Sequence, residues 1–459
     1  MNVRVLRIEL RRSVAPWAGV MVLATGPAFL YLLSGPWWRG TALWTTQWTS
    51  MALWTRFLLV FLWPLAMGLG ALQGLRDHRS KMPELLTSTP RPARHRAGTL
   101  VGATAIMLTS AFALLVLLCS VEVLADTAYT HLGWLPISLV AALALVAGAV
   151  LGMGLGRALP SSLTPPALVV AAFVFINVVR QSTDWSVPTA SVPNQLSLLS
   201  PVGAEVRDVF LTFSTSVHLG QTVWLLGMAA TGLALLIAAT PRARLLALTP
   251  ILVGAAVALL VLPADPRRTY VVDEAAAALV CDGPVCVTRA HQGRLADLAA
   301  PGRKALNLLK QTLGDQAPDS LRETTAPRAI GDTPERSRTA VFIDFGDGAI
   351  ASAKGEELTR ALLGQGLAPT CSARSENESG TLGEIAAQGV AAGLVLGDLR
   401  PLDGTLHRSR DQTALAAPVW KELKTLPRAE QLERIRAMHT AAVSCQGDPL
   451  DNLNGGTSR

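Results

Sequence analysis

The stretch Leu75–Ala97, LRDHRSKMPELLTSTPRPARHRA, lies between two long apolar runs and carries six basic residues: Arg76, Arg79, Lys81, Arg91, Arg94 and Arg96. Lys and Arg beside apolar spans resist translocation, so a basic loop in this position is expected on the cytoplasmic side of a membrane. Its middle, Met82–Thr87, has the composition of one short helix and is followed by Thr89-Pro90-Arg91-Pro92. Two readings follow. The loop is a topology anchor, or its short helix is the surface on which a soluble motor pushes a membrane channel.

Composition points the same way. Of 459 residues half are apolar and only 16% are charged, with a mean hydropathy of +0.37. That is far from a soluble average. Residues 14–263 hold nearly all the tryptophans and few charges, whereas residues 264–459 are charged, poor in aromatics and long enough to bury a core of their own. The net charge of +7 comes mostly from short loops of the first half, so it speaks to membrane orientation and excludes a nucleic-acid-binding reading. Arginine supplies 34 of the 40 basic residues, a bias read as that of a GC-rich bacterial genome, which makes the membrane a bacterial plasma membrane.

Residues 2–13 place Val3, Leu6 and Leu10 on one side of a helix and Arg4, Arg7, Arg11 and Arg12 on the other. This suits an amphipathic helix lying in the interface, or equally a basic flank that only orients the first span. Seven spans are expected, near Val14–Leu33, Phe57–Leu75, Leu100–Leu124, Leu135–Met153, Pro166–Val179, Thr222–Ala239 and Leu245–Leu262. No cleaved signal peptide is expected, since the first run is long enough to span and no small-x-small site follows it. Trp37, Trp38, Trp44, Trp48 and Trp54 read as an interfacial aromatic belt in the loop after the first span.

With the N-terminus inside, the inner loops hold thirteen basic residues, the six above with Arg4, Arg7, Arg11, Arg12, Arg157, Arg242 and Arg244. The outer loops hold four, Arg39, Arg56, Arg180 and Arg207. An odd number of spans then puts residues 264–459 outside the cell. The outer loop 180–220 contains semi-apolar pieces, Leu196–Leu199 and Val206–Phe213, able to dip back where protein receives their backbone. Glu122, near the outer end of the third span, is the main acidic residue at membrane depth. It is a candidate for substrate passage, or a side chain that simply reaches the interface.

The C-terminal part is expected to be a mixed α/β, mostly helical soluble domain. Helices are predicted over Val287–Leu313 with a break at Pro301-Gly302, and over Glu356–Leu363, Leu382–Leu396, Gln412–Leu426 and Ala429–Val443. A strand is predicted over Thr339–Phe345, and a loop over Gln316–Arg338. Four cysteines, Cys281, Cys286, Cys371 and Cys445, fall in this externally placed part, which supports disulfides. They allow three connectivities. The turn Asp282-Gly283-Pro284 favours Cys281 with Cys286, leaving Cys371 with Cys445; the spacing does not suit a metal site. No metal or nucleophile motif and no phosphate loop occurs, so VFID at Val341–Asp344 reads as a buried strand ending in a turn. His291, His407 and His439 show no metal spacing. No catalytic residue, metal or cofactor is expected.

A basic amphipathic start, six core spans, a basic inner loop after the second and a long outer loop after the fifth resemble the permease subunit of ABC-2 family transporters. The segment Glu84-Leu85-Leu86-Thr87-Ser88-Thr89-Pro90-Arg91 is similar to the E-L-L-x-x-x-P-R segment of actinobacterial permeases of that type. Leu426-Pro427 and Ala441–Cys445 resemble the extracytoplasmic domain that some of them append. The resemblance implies two permease halves, as a homodimer or a heterodimer, and a separately encoded ATPase that alone hydrolyses ATP. It implies that Arg79–Ser88 is a coupling helix, with Glu84, Leu85 and Leu86 in a groove of the ATPase and Arg79 and Lys81 on its acidic rims. A seventh span and an appended domain depart from the six-span pattern. That leaves a second reading open, a membrane-anchored sensor whose outer domain binds a ligand.

Overall fold

The computed structural model describes residues 15–34, 44–45, 47–76, 93–127, 129–180, 183–184, 192–202, 210–325, 333–372, 380–405 and 407–455. The expected interfacial helix at residues 2–13 lies outside them, as do Trp37 and Trp38.

Helices stand at every place where a span is expected. They are α1 (Ala15–Ser34), the pair α2 (Trp48–Phe57) and α3 (Leu59–Gly74), α4 (Ala93–Asp126), α5 (Trp134–Ala158), α6 (Thr164–Arg180), α7 (Thr215–Ile237), and the pair α8 (Pro241–Leu246) and α9 (Thr249–Val261). Among the described residues four segments are long and apolar enough to cross a membrane: Arg94–Ala125, Trp134–Ala158, Thr215–Ile237 and Pro241–Val261. The pair α2–α3, bent by 47°, makes a fifth if it counts as one span. Length and composition therefore support four or five spans where seven were expected. The 17 residues of α6 rise only ~25 Å, short of the ~30 Å hydrocarbon layer. The apolar part of α1, Pro16–Leu32, is likewise among the shorter helices.

The tryptophans depart from the belt expectation. Trp48 and Trp54 lie in α2, and Trp44 and Trp48 are buried, Trp44 edge-on to Tyr31 and Trp48 stacked on Trp134 at 5.6 Å. Nearly every side chain of α2 is buried, polar ones included. A helix enclosed on all sides carries no one-sided apolar stripe, which is why WTSMALWTRF reads as a loop.

Small residues bring the central helices together. A Cβ on Gly70 of α3 would lie 2.1 Å from the Ala149 carbonyl oxygen of α5, and one on Gly152 of α5 would lie 2.0 Å from that of Met67. Only glycine permits this approach, the usual basis of close helix contact in a membrane, where apolar surface gains nothing by leaving water.

The C-terminal domain has its own core, built on a four-stranded sheet of β3 (Leu279–Asp282), β4 (Val285–Thr288), β5 (Ser320–Glu323) and β6 (Ala340–Ile343) in that order. The β3–β4 pair is an antiparallel hairpin with Cys281 opposite Cys286, while β4, β5 and β6 run parallel. Around it pack α10 (Leu295–Leu313), α11 (Gly355–Leu367), α12 (Leu382–Leu396), α13 (Ser409–Thr425) and α14 (Arg428–Ser444).

Two expectations are corrected here. Val287 and Thr288 belong to β4, and α10 runs unbroken through Pro301. Proline costs that helix one backbone hydrogen bond. Leu298, Ala305, Leu309 and Leu313, all buried on one face, hold it to the sheet. The predicted loop Gln316–Arg338 contains β5, whose sequence SLRE lacks the apolar run expected of an interior parallel strand.

Disulfides join Cys281 to Cys286 and Cys371 to Cys445. The second ties the segment before α12 to the end of α14. Glu384, buried in the first turn of α12, accepts hydrogen bonds from the backbone N–H groups of Cys371 (2.7 Å), Ser372 (3.1 Å) and Thr381 (2.7 Å) and from the Ser372 hydroxyl. This capping box anchors the Cys371 end of the bridge.

Candidate functional site

The residues implied for motor coupling, Arg79, Lys81, Glu84, Leu85, Leu86 and Arg91, lie outside the described residues. Their two flanks are described. Helix α3 ends at Gly74, and α4 begins at Ala93, so the end of the basic stretch is already helical. With 34 residues α4 is ~51 Å long, well beyond the ~30 Å hydrocarbon layer. Arg94 and His95 stand exposed at its start, where the helix has length to spare outside the apolar layer.

Between the helices near this end lies a narrow cleft lined by Ala18, Leu69, Gly70, Gln73, Thr104 and Met153. Gln73 and Thr104 are its polar groups, and the Thr104 hydroxyl donates to the Leu100 carbonyl 3.2 Å away. Glu122 does not point into such a cleft. It is exposed on α4, where the Tyr31 hydroxyl donates to it at 3.4 Å.

The helical half meets the C-terminal domain along a built seam. Strand β1 (Leu211–Phe213) pairs antiparallel with β2 (Tyr270–Val272), and Phe213 stacks on Tyr270 with ring centroids 5.4 Å apart. Beneath this ladder sits Arg56 of α2, fully buried. Its Nη2 donates to Gln221 Oε1 of α7 at 2.6 Å and its Nε to the Pro201 carbonyl at 3.2 Å, while its guanidinium lies 5.3 Å from the Phe213 ring centre. Arg56 was expected in an exposed outer loop. It is instead an interior cation without a carboxylate partner among the described residues.

The described part of the segment before β1, residues 192–202, is received by protein. Gln221 Nε2 donates to the Leu198 carbonyl (2.9 Å), Trp224 Nε1 to that of Leu199 (3.0 Å), and Gln195 Nε2 to those of Leu259 and Leu262. Ser197 and Leu198 are buried in a short 3-10 turn. Irregular backbone among apolar helices requires such partners. Of the other semi-apolar piece, residues 206–209 lie outside the described residues.

On the domain's side the seam reaches the carboxyl ends of the parallel strands, the edge where open α/β sheets place their ligands. Glu323 ends β5 and is buried; its Oε2 accepts from the Thr288 N–H (2.7 Å) and hydroxyl (2.9 Å), and its Oε1 lies 2.5 Å from His291 Nδ1. The imidazole stands 4.8 Å from the Phe345 ring and 6.2 Å from Phe210, the residue before β1. Phe210, Ala276 and Ala290 form a small buried cluster with Tyr129 from the α4–α5 loop. The seam thus gathers groups from four distant parts of the chain.

A histidine oriented by a buried carboxylate can hold or pass a proton through its other nitrogen. Among the described residues no three side chains converge to hold a metal. His439 Nδ1 lies 3.1 Å from the Leu367 carbonyl and His407 Nε2 3.4 Å from that of Gly380, so the three histidines stay apart. Asp344 accepts from the Gly346 N–H at 2.7 Å as part of a turn after β6. The pairing of His291 with Glu323 had no motif to announce it; its signal is the position of both residues just at or after strand ends. No protein-family model, curated protein or solved structure matches this chain.

Proposed function

We propose that the chain is the membrane-spanning permease subunit of an ATP-driven transporter of the ABC-2 type, exporting a hydrophobic or amphipathic substrate such as a peptide, antibiotic or lipid-like molecule. The observation that carries this reading is the stretch of six basic residues that runs from the end of α3 into α4, a helix too long for the bilayer alone, which presents Arg94 and His95 to solvent. A separately encoded ATPase docks there, and its ATP and ADP states shift the access of the pathway through their different affinities for the loop. The excess of positive charge keeps this end cytoplasmic, and five spans after it, the short α6 counted with α4, α5, α7 and the pair α8–α9, put the disulfide-bonded domain outside. The scarcity of polar groups in the cleft at Gln73 and Thr104 suits a substrate of low polarity.

A second reading, a membrane-anchored sensor, draws on the seam. The β1–β2 ladder ties the domain to the strand that leads into α7, and the Arg56–Gln221 hydrogen bond ties α7 to α2, the path by which a bound ligand would bias the helices.

The test is a mild-detergent pull-down of the tagged chain, intact and with residues 79–88 replaced by a Gly/Ser linker of equal length. Transport requires a soluble ATPase that co-purifies with the first and is lost with the second. Absence of any ATPase from both preparations, with the variant still folded, refutes the transporter reading and leaves the sensor.

A further inference from the structure

A cavity of about 440 Å³ opens on the C-terminal domain between the start of α11, the turn at Ser352 and Ala353, and the loop 400–403. Sites for small molecules commonly enclose roughly 300–1,000 Å³. The loop is seated hard against the turn before α11: a Cβ on Gly348 would lie 2.0 Å from the Gly404 carbonyl oxygen. That close approach fixes the loop 400–403 beside the cavity. Its floor is small and apolar, from the buried Ala353, Ala361 and Leu402.

Four charged residues line it: Arg360, Arg400, Glu357 and Asp403. Arg360 is occupied, since its Nη2 meets Asp398 Oδ1 at 2.5 Å and its Nη1 donates to the Asp398 carbonyl at 3.0 Å. Among the described residues Arg400 is held only by its Nε, 2.6 Å from Asp398 Oδ2, which leaves both terminal nitrogens to a ligand; the side chain is 68% exposed. Among the described residues Glu357 and Asp403 make no ion pair or hydrogen bond.

We propose that this cavity binds a zwitterion of amino-acid or dipeptide size, its carboxylate on the Arg400 fork and its ammonium between Glu357 and Asp403. A guanidinium fork matches a carboxylate. A purely anionic ligand would meet two unneutralised carboxylates, and a purely cationic one would leave Arg400 unused. The small apolar floor takes a short aliphatic side chain. The inference stands independently of the transport reading.

The experiment is titration calorimetry on the full chain in detergent micelles with alanyl-leucine as the probe, beside its N-acetylated and C-amidated forms. The free dipeptide binds, and blocking either end weakens it at least about tenfold, as does Arg400→Ala or the pair Glu357→Gln with Asp403→Asn. Melting temperatures of the variants without probe stay near that of the parent, because the altered side chains are exposed. No heat with the parent chain, equal affinity for the blocked forms, or equal affinity in the variants overturns the proposal. The blocked dipeptides keep the test decisive even if a variant fails to fold.

Discussion

Arg56 and Gln221 stand 165 positions apart in the chain and meet at 2.6 Å inside the helical half, beneath the strand pair that begins the C-terminal domain. Gln221 is bonded on both sides, since its amide nitrogen holds the Leu198 carbonyl. One glutamine thus receives a buried cation and fixes the segment that leads toward the domain.

This relay predicts a non-additive mutant cycle. Gln221→Leu takes one of its two hydrogen-bond acceptors from the buried Arg56, leaving the Pro201 carbonyl, and costs roughly 2–3 kcal/mol. Adding Arg56→Met removes that charge, so the double variant melts above Gln221→Leu alone. Thermal unfolding in detergent reads the difference. Equal melting of the two, or strict additivity, contradicts the assigned contact.

The two disulfides predict unequal losses. Cys371–Cys445 closes a sequence separation of 74, and its removal by serine at both positions destabilises the C-terminal domain by ~4 kcal/mol. Cys281–Cys286 closes a separation of five, and its loss costs about half as much. Chemical denaturation of the full chain, following its tryptophan fluorescence and far-UV signal, checks the order.

Glu384 predicts an acid-sensitive clamp. Burial pushes its carboxyl up, but hydrogen bonds from Ser372, Thr381 and Cys371 outweigh that and hold it below the usual glutamate range. A depressed folded pKa contributes stability that is present above the unfolded value of about 4.3 and is lost as pH falls through the folded value. Melting temperatures should therefore drop below pH ~4.5. Glu384→Gln should flatten that drop while lowering stability at neutral pH. An unchanged acid limb in the variant would contradict this role.

Orientation predicts protease access. On spheroplasts, added protease reaches the C-terminal domain of the parent chain. Replacing all six bases of the Leu75–Ala97 stretch by glutamine shifts a large share of molecules to a protected form, because the charge excess that retains this loop inside is cut.

Apolar runs announced α1, α3 to α7 and α9, because a segment that excludes water shows its composition directly. Hidden were the elements whose partners are distant. Trp48–Phe57 looked like a loop because Thr49, Thr55 and Arg56 are polar, yet all three are buried among other helices. β5 looked like a loop because its buried side chains are Leu321 and Glu323, and Glu323 is tolerated there only through Thr288 and His291. The zwitterion site had no motif at all. Its charges come from α11 and a loop some forty residues later, brought together by the tight seat of Gly404 on Gly348.

The basic loop is proposed to join this chain to an ATP-driven motor. The most direct test is the ATP hydrolysis rate of the co-purified ATPase in lipid nanodiscs, alone, with the intact chain, and with the chain carrying the Gly/Ser linker at residues 79–88. With the intact chain the rate is expected to be several-fold higher, and with the linker to return to that of the ATPase alone. A rate indifferent to both the chain and its loop would contradict this coupling.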